Sequence, residues 1–383
     1  SNDAHVANIL KEELLQIKSR YGDERRTQIL NVENDIDIED LIEEKTCVYT
    51  LTHDGYIKRL PEDTYKVQRR GGRGVSAMTT KEEDYAEELF IGSTHDQILF
   101  FTDRGRAYKI KGYEIPESSR QAKGMNVVNL ISLQPDEKIT SMIAVNDLKA
   151  DGLFFNMITR RGVTKRCRVG DFRNMRSAGL IALSLDEDDE LVCVHLTDGG
   201  RNIIVATSDG MAIKYNESQV SIVGRNARGV RALRLGAGAH VVGSAVEADE
   251  RRLLAVTENG YGKVCGFEEF NVQHRGGVGV RCHKINAKTG ALAAFMSVGK
   301  DEDLLVISSD GVIIRVRMTD IPMYSRNSGG VRIMRLADGV KVVNIACVAA
   351  ESESAADGTA GTETHAGQSL PDDGQNGSGQ TRA

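Results

Sequence analysis

The sequence predicts an all-β fold, a closed or spiral propeller-like array of six four-stranded blades with a short N-terminal helix and a disordered C-terminal tail. Three observations carry that expectation. Glycine recurs in two series, first Gly55, Gly105, Gly162, Gly210, Gly260 and Gly311, then Gly74, Gly124, Gly179, Gly229, Gly279 and Gly330. The second series trails the first by 17 to 19 residues in all six copies, and successive copies lie 48 to 57 residues apart. Each first-series glycine stands between an apolar run and a short stretch ending in Lys or Arg, the pattern of a hairpin. Repeats of about 50 residues and four strands mark a radial array with short, protected edges. A linear solenoid would need capping units, and no repeat reads as one. Length alone suggests two or three domains, but six units that each need a neighbour form one object.

The chain opens on Ser1-Asn2 without a methionine, as expected of a cleavage scar or of a piece cut from a longer protein. Between His5 and Arg20, Val6, Ile9, Leu10, Leu14 and Ile17 recur at helical spacing, and Gly22 stands where a helix would stop. Residues 1–34 therefore read as a helix and connector, with an apolar stripe that fits either another domain or the side of the repeats. Residues 35–349 are the repeats.

The fourth repeat shows the unit most clearly: the apolar run Asn202 to Thr207, a tight turn at Ser208-Asp209-Gly210, and the return from Met211 to Tyr215. Asp54-Gly55, Asp209-Gly210, Asn259-Gly260 and Asp310-Gly311 match two-residue hairpin turns, whose central positions both need φ > 0. Arg104-Gly105 and Arg161-Gly162 fit that turn less well. A loop of about ten residues, the second glycine and further apolar runs complete the unit. From residue 350 to 383 Ser, Gly, Thr, Asp, Glu and Ala dominate, so this mildly acidic tail is expected to be disordered.

No run of about 18 apolar residues and no signal peptide occurs, which points to a soluble, intracellular protein. Cys47, Cys167, Cys193, Cys265, Cys282 and Cys347 are scattered without metal-ligand spacing, the pattern of reduced buried thiols. No cluster suggests a metal or resident cofactor, no Walker loop or dinucleotide fingerprint occurs, and the eight histidines form no catalytic motif.

Formal net charge is −6, but it is unevenly spread. Residues 1–45 hold 12 acids and 6 bases, residues 350–383 hold 6 acids and 1 base, and residues 46–349 hold 37 acids and 42 bases. Bases recur at similar offsets in the repeats: Lys58, Arg59, Arg106, Lys109, Lys165, Arg166, Lys214, Lys263, Arg315 and Arg317 after the turn glycine, with Arg120, Lys123, Arg173, Arg176, Arg225, Arg228, Arg231, Arg275, Arg281, Arg326, Arg332 and Arg335 near the second. Ring closure would set these on one rim as a positive belt suited to duplex phosphates. With no Trp and 5% aromatic residues, the chain lacks the stacking platforms of single-strand binders.

The densest cationic stretch is Gln68-Arg69-Arg70-Gly71-Gly72-Arg73-Gly74, three guanidinium groups on glycine-rich backbone. A partial copy, Gln273-His274-Arg275-Gly276-Gly277-Val278-Gly279, keeps five of its seven residues. The heptad resembles the signature box of the DNA gyrase A subunit, and six units of this length resemble that family's C-terminal domain. Residues 20–27, Arg-Tyr-Gly-Asp-Glu-Arg-Arg-Thr, also look like the end of the preceding breakage-reunion domain. The resemblance implies a six-bladed β-pinwheel with exchanged strands that bends DNA and biases strand passage toward negative supercoiling, the box being needed for wrapping. It implies partners too: double-stranded DNA, the breakage-reunion domain of the same polypeptide, and the gyrase B subunit in an A2B2 holoenzyme in the cytoplasm, at the bacterial nucleoid. The catalytic tyrosine, the ATPase and their ATP and Mg would lie outside this chain, which by itself would be no enzyme. Topoisomerase IV, with fewer blades and a degraded box, is the nearest alternative. From another class, a peptide-binding propeller also remains open at this point.

Overall fold

The structure, a computed structural model, describes residues 2–22, 38–61, 86–119 and 122–349. The heptad at 68–74, Arg120, the connector and the tail lie outside them. Backbone contacts divide the chain into two units, Ser1–Glu43 and Glu44–Ala383. In the first, Asn2–Tyr21 is a helix whose Val6, Ile9, Leu10, Leu14 and Ile17 are exposed, and Gly22 N–H donates to Lys18 O at 2.8 Å where it ends.

The second unit is the six-bladed array. Blade 1 contains Thr46–Thr52, Tyr56–Pro61 and Ala86–Ser93; blade 2, Gln97–Thr102, Arg106–Lys111 and Ile139–Val145; blade 3, Phe154–Thr159, Val163–Arg168 and Leu191–Thr197. Blade 4 contains Asn202–Thr207, Met211–Asn216 and Val241–Val246; blade 5, Arg252–Thr257, Tyr261–Cys265 and Leu292–Val298; blade 6, Glu302–Ser308, Ile313–Arg317 and Val342–Ala349. The third strand of each blade is innermost and faces a central cavity of about 840 Å³. The inner strands of blades 6 and 1 lie against each other, so the ring closes.

Each of blades 1 to 5 takes its outermost strand from the next repeat: Met125–Asn126, Leu180–Ile181, Val230–Arg231, Val280–Arg281 and Val331–Arg332 pair in turn on the second strand of the blade before. Blade 6 has three strands among the described residues. Apolar side chains fill the space between consecutive blades. One such cluster joins blades 2 and 3 through Phe101, Phe155 and Phe172, whose rings meet edge to face at 5.1 to 5.9 Å.

The hairpin turn differs from its sequence expectation. The first-series glycines have φ between +69° and +82°, but the residue before each is not left-handed; only Asp136 and Glu250 are so among the described non-glycine residues. Gly55 N–H donates to Thr52 O at 2.9 Å and Gly105 N–H to Thr102 O at 2.9 Å, a turn closed by a single left-handed residue. Only the glycine is required, which is why Arg104 and Arg161 serve as well as Asp54. A hydroxyl at the strand end supports the turn: Thr52, Thr102, Thr159 and Thr257 Oγ1 accept from the amide four residues on, while Thr207 and Ser308 donate to the carbonyl there.

The second glycine series has a separate cause. Gly124, Gly179, Gly229, Gly279 and Gly330 lie where the chain crosses to the blade before, with φ between +66° and +92°. A Cβ at Gly279 would lie 2.3 Å from Ala212 O, and one at Gly229 2.5 Å from Thr164 O. Backbone passes against backbone there, leaving no room for a side chain.

Candidate nucleic-acid interface

Before each exchanged strand, the crossing segment runs over the outer end of the preceding blade. Single parallel bridges mark its path, Arg59 to Glu117, Arg166 to Ile222, Lys214 to Val272 and Val264 to Met323. The crossing segments and exchanged strands form the outer edge, and they carry most bases of the second glycine series.

Five of the bases expected on an exposed rim are buried. Lys58, Lys165 and Lys263 point inward because the third position after the turn glycine faces the crossing chain; their exposures are 1%, 0% and 0%. Their ammonium groups donate to main-chain carbonyls, Lys58 to Ser119 and Ala122, Lys165 to Ala182 and Arg225, Lys263 to Ser325, Arg326 and Ser328. Burial holds all three down to about 8, so they stay charged at neutral pH. Arg166 is buried 3.9 Å from the Glu217 carboxylate, and Lys214 is buried against Glu247 and Phe267 O.

Other expected bases are half-buried or paired. Arg59 meets Glu117 at 3.3 Å, Lys123 meets Asp54 at 3.6 Å, Arg228 meets Asp186 at 2.8 Å and Arg315 meets Asp303 at 2.8 Å. Arg106 lies 3.9 Å from the buried Glu137 and donates to Ala178 O, while Lys109 donates to Arg173 O. Arg275 donates to Gln219 O and Arg231 O, and Arg326 to Arg281 O. Arg173 and Arg176 remain exposed on the crossing segment of repeat 3, and Arg225 half-exposed on that of repeat 4, with no side-chain partner among the described residues. Neighbouring carboxylates for some and main-chain carbonyls for Lys109, Arg275 and Arg326, which a count of bases per repeat does not register, separate these outcomes.

The structure sets four expected bases, Arg231, Arg281, Arg332 and Arg335, in one row with two that the spacing does not single out, Arg234 and Lys284. Arg231, Arg281 and Arg332 sit on the exchanged strands of blades 3, 4 and 5, opposite Val163, Met211 and Tyr261 respectively. Three residues on stand Arg234, Lys284 and Arg335. All six are exposed, and Arg231, Arg234, Arg281, Lys284 and Arg335 have side chains free of hydrogen bonds and ion pairs among the described residues. Arg332 stacks 5.3 Å from the Tyr261 ring centre and donates to its hydroxyl. The corresponding residues of blades 1 and 2 are Asn126 and Ile181, so among the described residues this row of bases is confined to blades 3 to 5. The recurring Val-Arg after the second glycine was the sequence signal for this row.

The rest of the unit shows no cluster suited to a metal ion among the described residues. Its cysteines are unpaired, and burial pushes the Cys167 and Cys282 thiols up to about 12. Buried acids have structural partners: Glu217 accepts from Asn156, Thr197 and the Arg201 amide, and Glu137 from Thr102, Tyr108 and the Gln134 amide.

Blades completed by a strand of the next repeat, closed into a ring, define the molecule as a β-propeller of the strand-exchanged, pinwheel kind. Its sequence matches the family described as DNA gyrase C-terminal domain, beta-propeller, in six segments, 48–90, 96–146, 157–198, 201–246, 251–298 and 302–349. The chain belongs to that family.

It is 46% identical over 366 residues to the DNA gyrase A subunit of Clostridium acetobutylicum, covering 95% of this chain and 44% of that one. It is 43% identical over 352 residues to the DNA gyrase A subunit of Staphylococcus epidermidis, covering 91% and 39%. The chain thus spans less than half the length of these curated relatives. Among solved structures, the C-terminal domain of DNA topoisomerase IV superposes with a TM-score of 0.69 at 25% identity over 81% of this chain and 95% of that one. The DNA gyrase A C-terminal domain gives 0.62 at 26% identity, covering 79% and 99%.

Proposed function

We propose that this chain is the non-catalytic, duplex-DNA-binding and wrapping part of a DNA gyrase A subunit. It bends DNA around its outer edge so that the ATP-driven holoenzyme, with the breakage-reunion domain and the B subunit in an A2B2 assembly, introduces negative supercoils. The observation that carries this reading is the row Arg231, Arg281 and Arg332, one exposed guanidinium on each of blades 3, 4 and 5 at one register position, each followed by a second base. A merely soluble surface mixes signs at equivalent positions. Phosphate contacts repeated along a curved edge suit a duplex without sequence readout.

Smooth bending through roughly half a turn over about 40 bp costs on the order of 10 kcal/mol. No single cluster offsets that, so contacts spread over several blades are needed, and the heptad Gln68 to Gly74 is assigned to the same task by family resemblance. The test is duplex binding across a salt series together with ligase closure of relaxed circles on the protein. Affinity that falls steeply with salt and a shift in linking number support the reading. Binding indifferent to salt, or binding with no topological shift, contradicts it.

A further inference from the structure

Three buried lysines recur on alternate blades at one position, and we infer that Lys58, Lys165 and Lys263 are positioning residues that clamp the crossing segments on which the outer-edge arginines stand. This inference rests on the DNA-wrapping reading for its functional consequence, while the clamp itself rests on geometry.

Each lysine is the third residue after the turn glycine, and blades 2, 4 and 6 carry Tyr108, Ile213 and Ile314 there. Lys165 Nζ donates to Ala182 O at 2.6 Å and also to Arg225 O. Lys263 Nζ donates to Ser325 O at 2.8 Å, Arg326 O at 2.6 Å and Ser328 O at 3.0 Å. Lys58 Nζ donates to Ala122 O at 2.9 Å and Ser119 O at 3.3 Å, on either side of Arg120.

These carbonyls belong to irregular backbone with no strand partner of its own, and an ammonium with three donors satisfies them together. The carbonyls held by Lys165 and Lys263 include those of Arg225 and Arg326 themselves. The guanidinium thus stands on a segment anchored directly beneath its own Cα. Preorganised groups lose less conformational freedom on binding, so the clamp raises phosphate affinity without touching phosphate.

Tyr108, by contrast, directs its hydroxyl to Glu137. The crossing segment of repeat 5 is held by a different device, with the Gln219 side chain donating to Gln273 O and accepting from the Arg275 amide. Fastening by a buried lysine three residues after the turn glycine therefore falls at the junctions of blades 1 with 2, 3 with 4 and 5 with 6, while blade 2 reaches the crossing segment of repeat 3 from other positions, through Arg106 and Lys109.

Three measurements on the full chain test the clamp. With nitrogen-labelled lysine, the native protein should show four slowly exchanging ammonium signals at neutral pH, those of Lys58, Lys165 and Lys263 and that of Lys214, which is buried against Glu247 and Phe267 O; fewer than three overturns the proposal without any variant. In Lys165→Met and Lys263→Met, amide exchange should rise in 222–229 and 322–330 respectively but not in the inner strands; unchanged exchange there overturns it. At a temperature where circular dichroism shows each variant folded, duplex affinity should fall roughly tenfold, the size of one charge-assisted hydrogen bond. The salt slope should shrink by about 0.9 for each phosphate the variant no longer neutralises. Lys149→Met, an exposed control, should change neither. Affinity and slope equal to native in both variants overturn the positioning role. Failure of the native chain to bind duplex would sink the wrapping reading instead, and the two exchange arms would still decide the clamp.

Discussion

Arg228 Nη1 lies 2.8 Å from Asp186 Oδ1, an ion pair that joins the crossing segment of repeat 4 to repeat 3 and neutralises a base on the outer edge. Both side chains are more than half exposed, 74% and 55%, so the pair contributes little to folding. Asp186→Asn is expected to leave unfolding free energy within about 0.5 kcal/mol and to steepen the salt dependence of duplex binding by up to about 0.9, the value of one more neutralised phosphate. Urea denaturation and a salt titration measure both.

Replacing Arg231, Arg281 and Arg332 together by Ala removes the base at one register position from three consecutive blades. The salt slope should fall by nearly three times about 0.9, while stability changes by about 0.5 kcal/mol or less per exposed site. Arg332 should account for the largest share of any stability loss, because its guanidinium stacks on Tyr261.

Arg69, Arg70 and Arg73 form the densest positive group in the sequence. Changing all three to Ala should suppress the linking-number shift in ligase closure more than it weakens duplex binding. Equal loss of both would remove the special role assigned to the heptad.

Gly279→Ala tests the strand exchange. With φ +79° and only 2.3 Å between an added Cβ and Ala212 O, no side chain fits without moving the crossing backbone. A loss of more than about 1 kcal/mol is expected, with faster amide exchange at Val280–Arg281, the strand that completes blade 4.

His283 is fully buried, and burial, reinforced by the Lys263 charge, holds its imidazole down to about 4. The unfolded chain binds the proton near pH 6.5 and the folded chain only near 4, so stability is intact above 6.5 and is lost as pH falls toward 4. The loss at the acid end is on the order of 3 kcal/mol. Urea denaturation at pH 7 and pH 4.5 should show it, and His283→Leu should reduce the difference.

Much of the fold was legible in the order of residues because repetition multiplies weak signals. One Gly after an apolar run is an ordinary turn, but six at matched offsets define blades. The exchange of strands was not legible from spacing, since Val230-Arg231 reads the same whether it pairs within its own repeat or on Val163 and Thr164 of the one before. Turn chemistry was over-read in one respect, as Arg104-Gly105 needs only the glycine to be left-handed.

The outer edge shows the same division. Charge and period are one-dimensional properties, and by itself the order of residues determined that every repeat would carry bases near both glycines. Which of them meet solvent was decided in three dimensions. Lys263 faces inward onto three carbonyls, Arg315 meets Asp303 across the hairpin, and Arg281 stands exposed on a borrowed strand. A side chain's solvation depends on what the closed ring brings beside it, and those neighbours lie some 12 to 65 residues away along the chain.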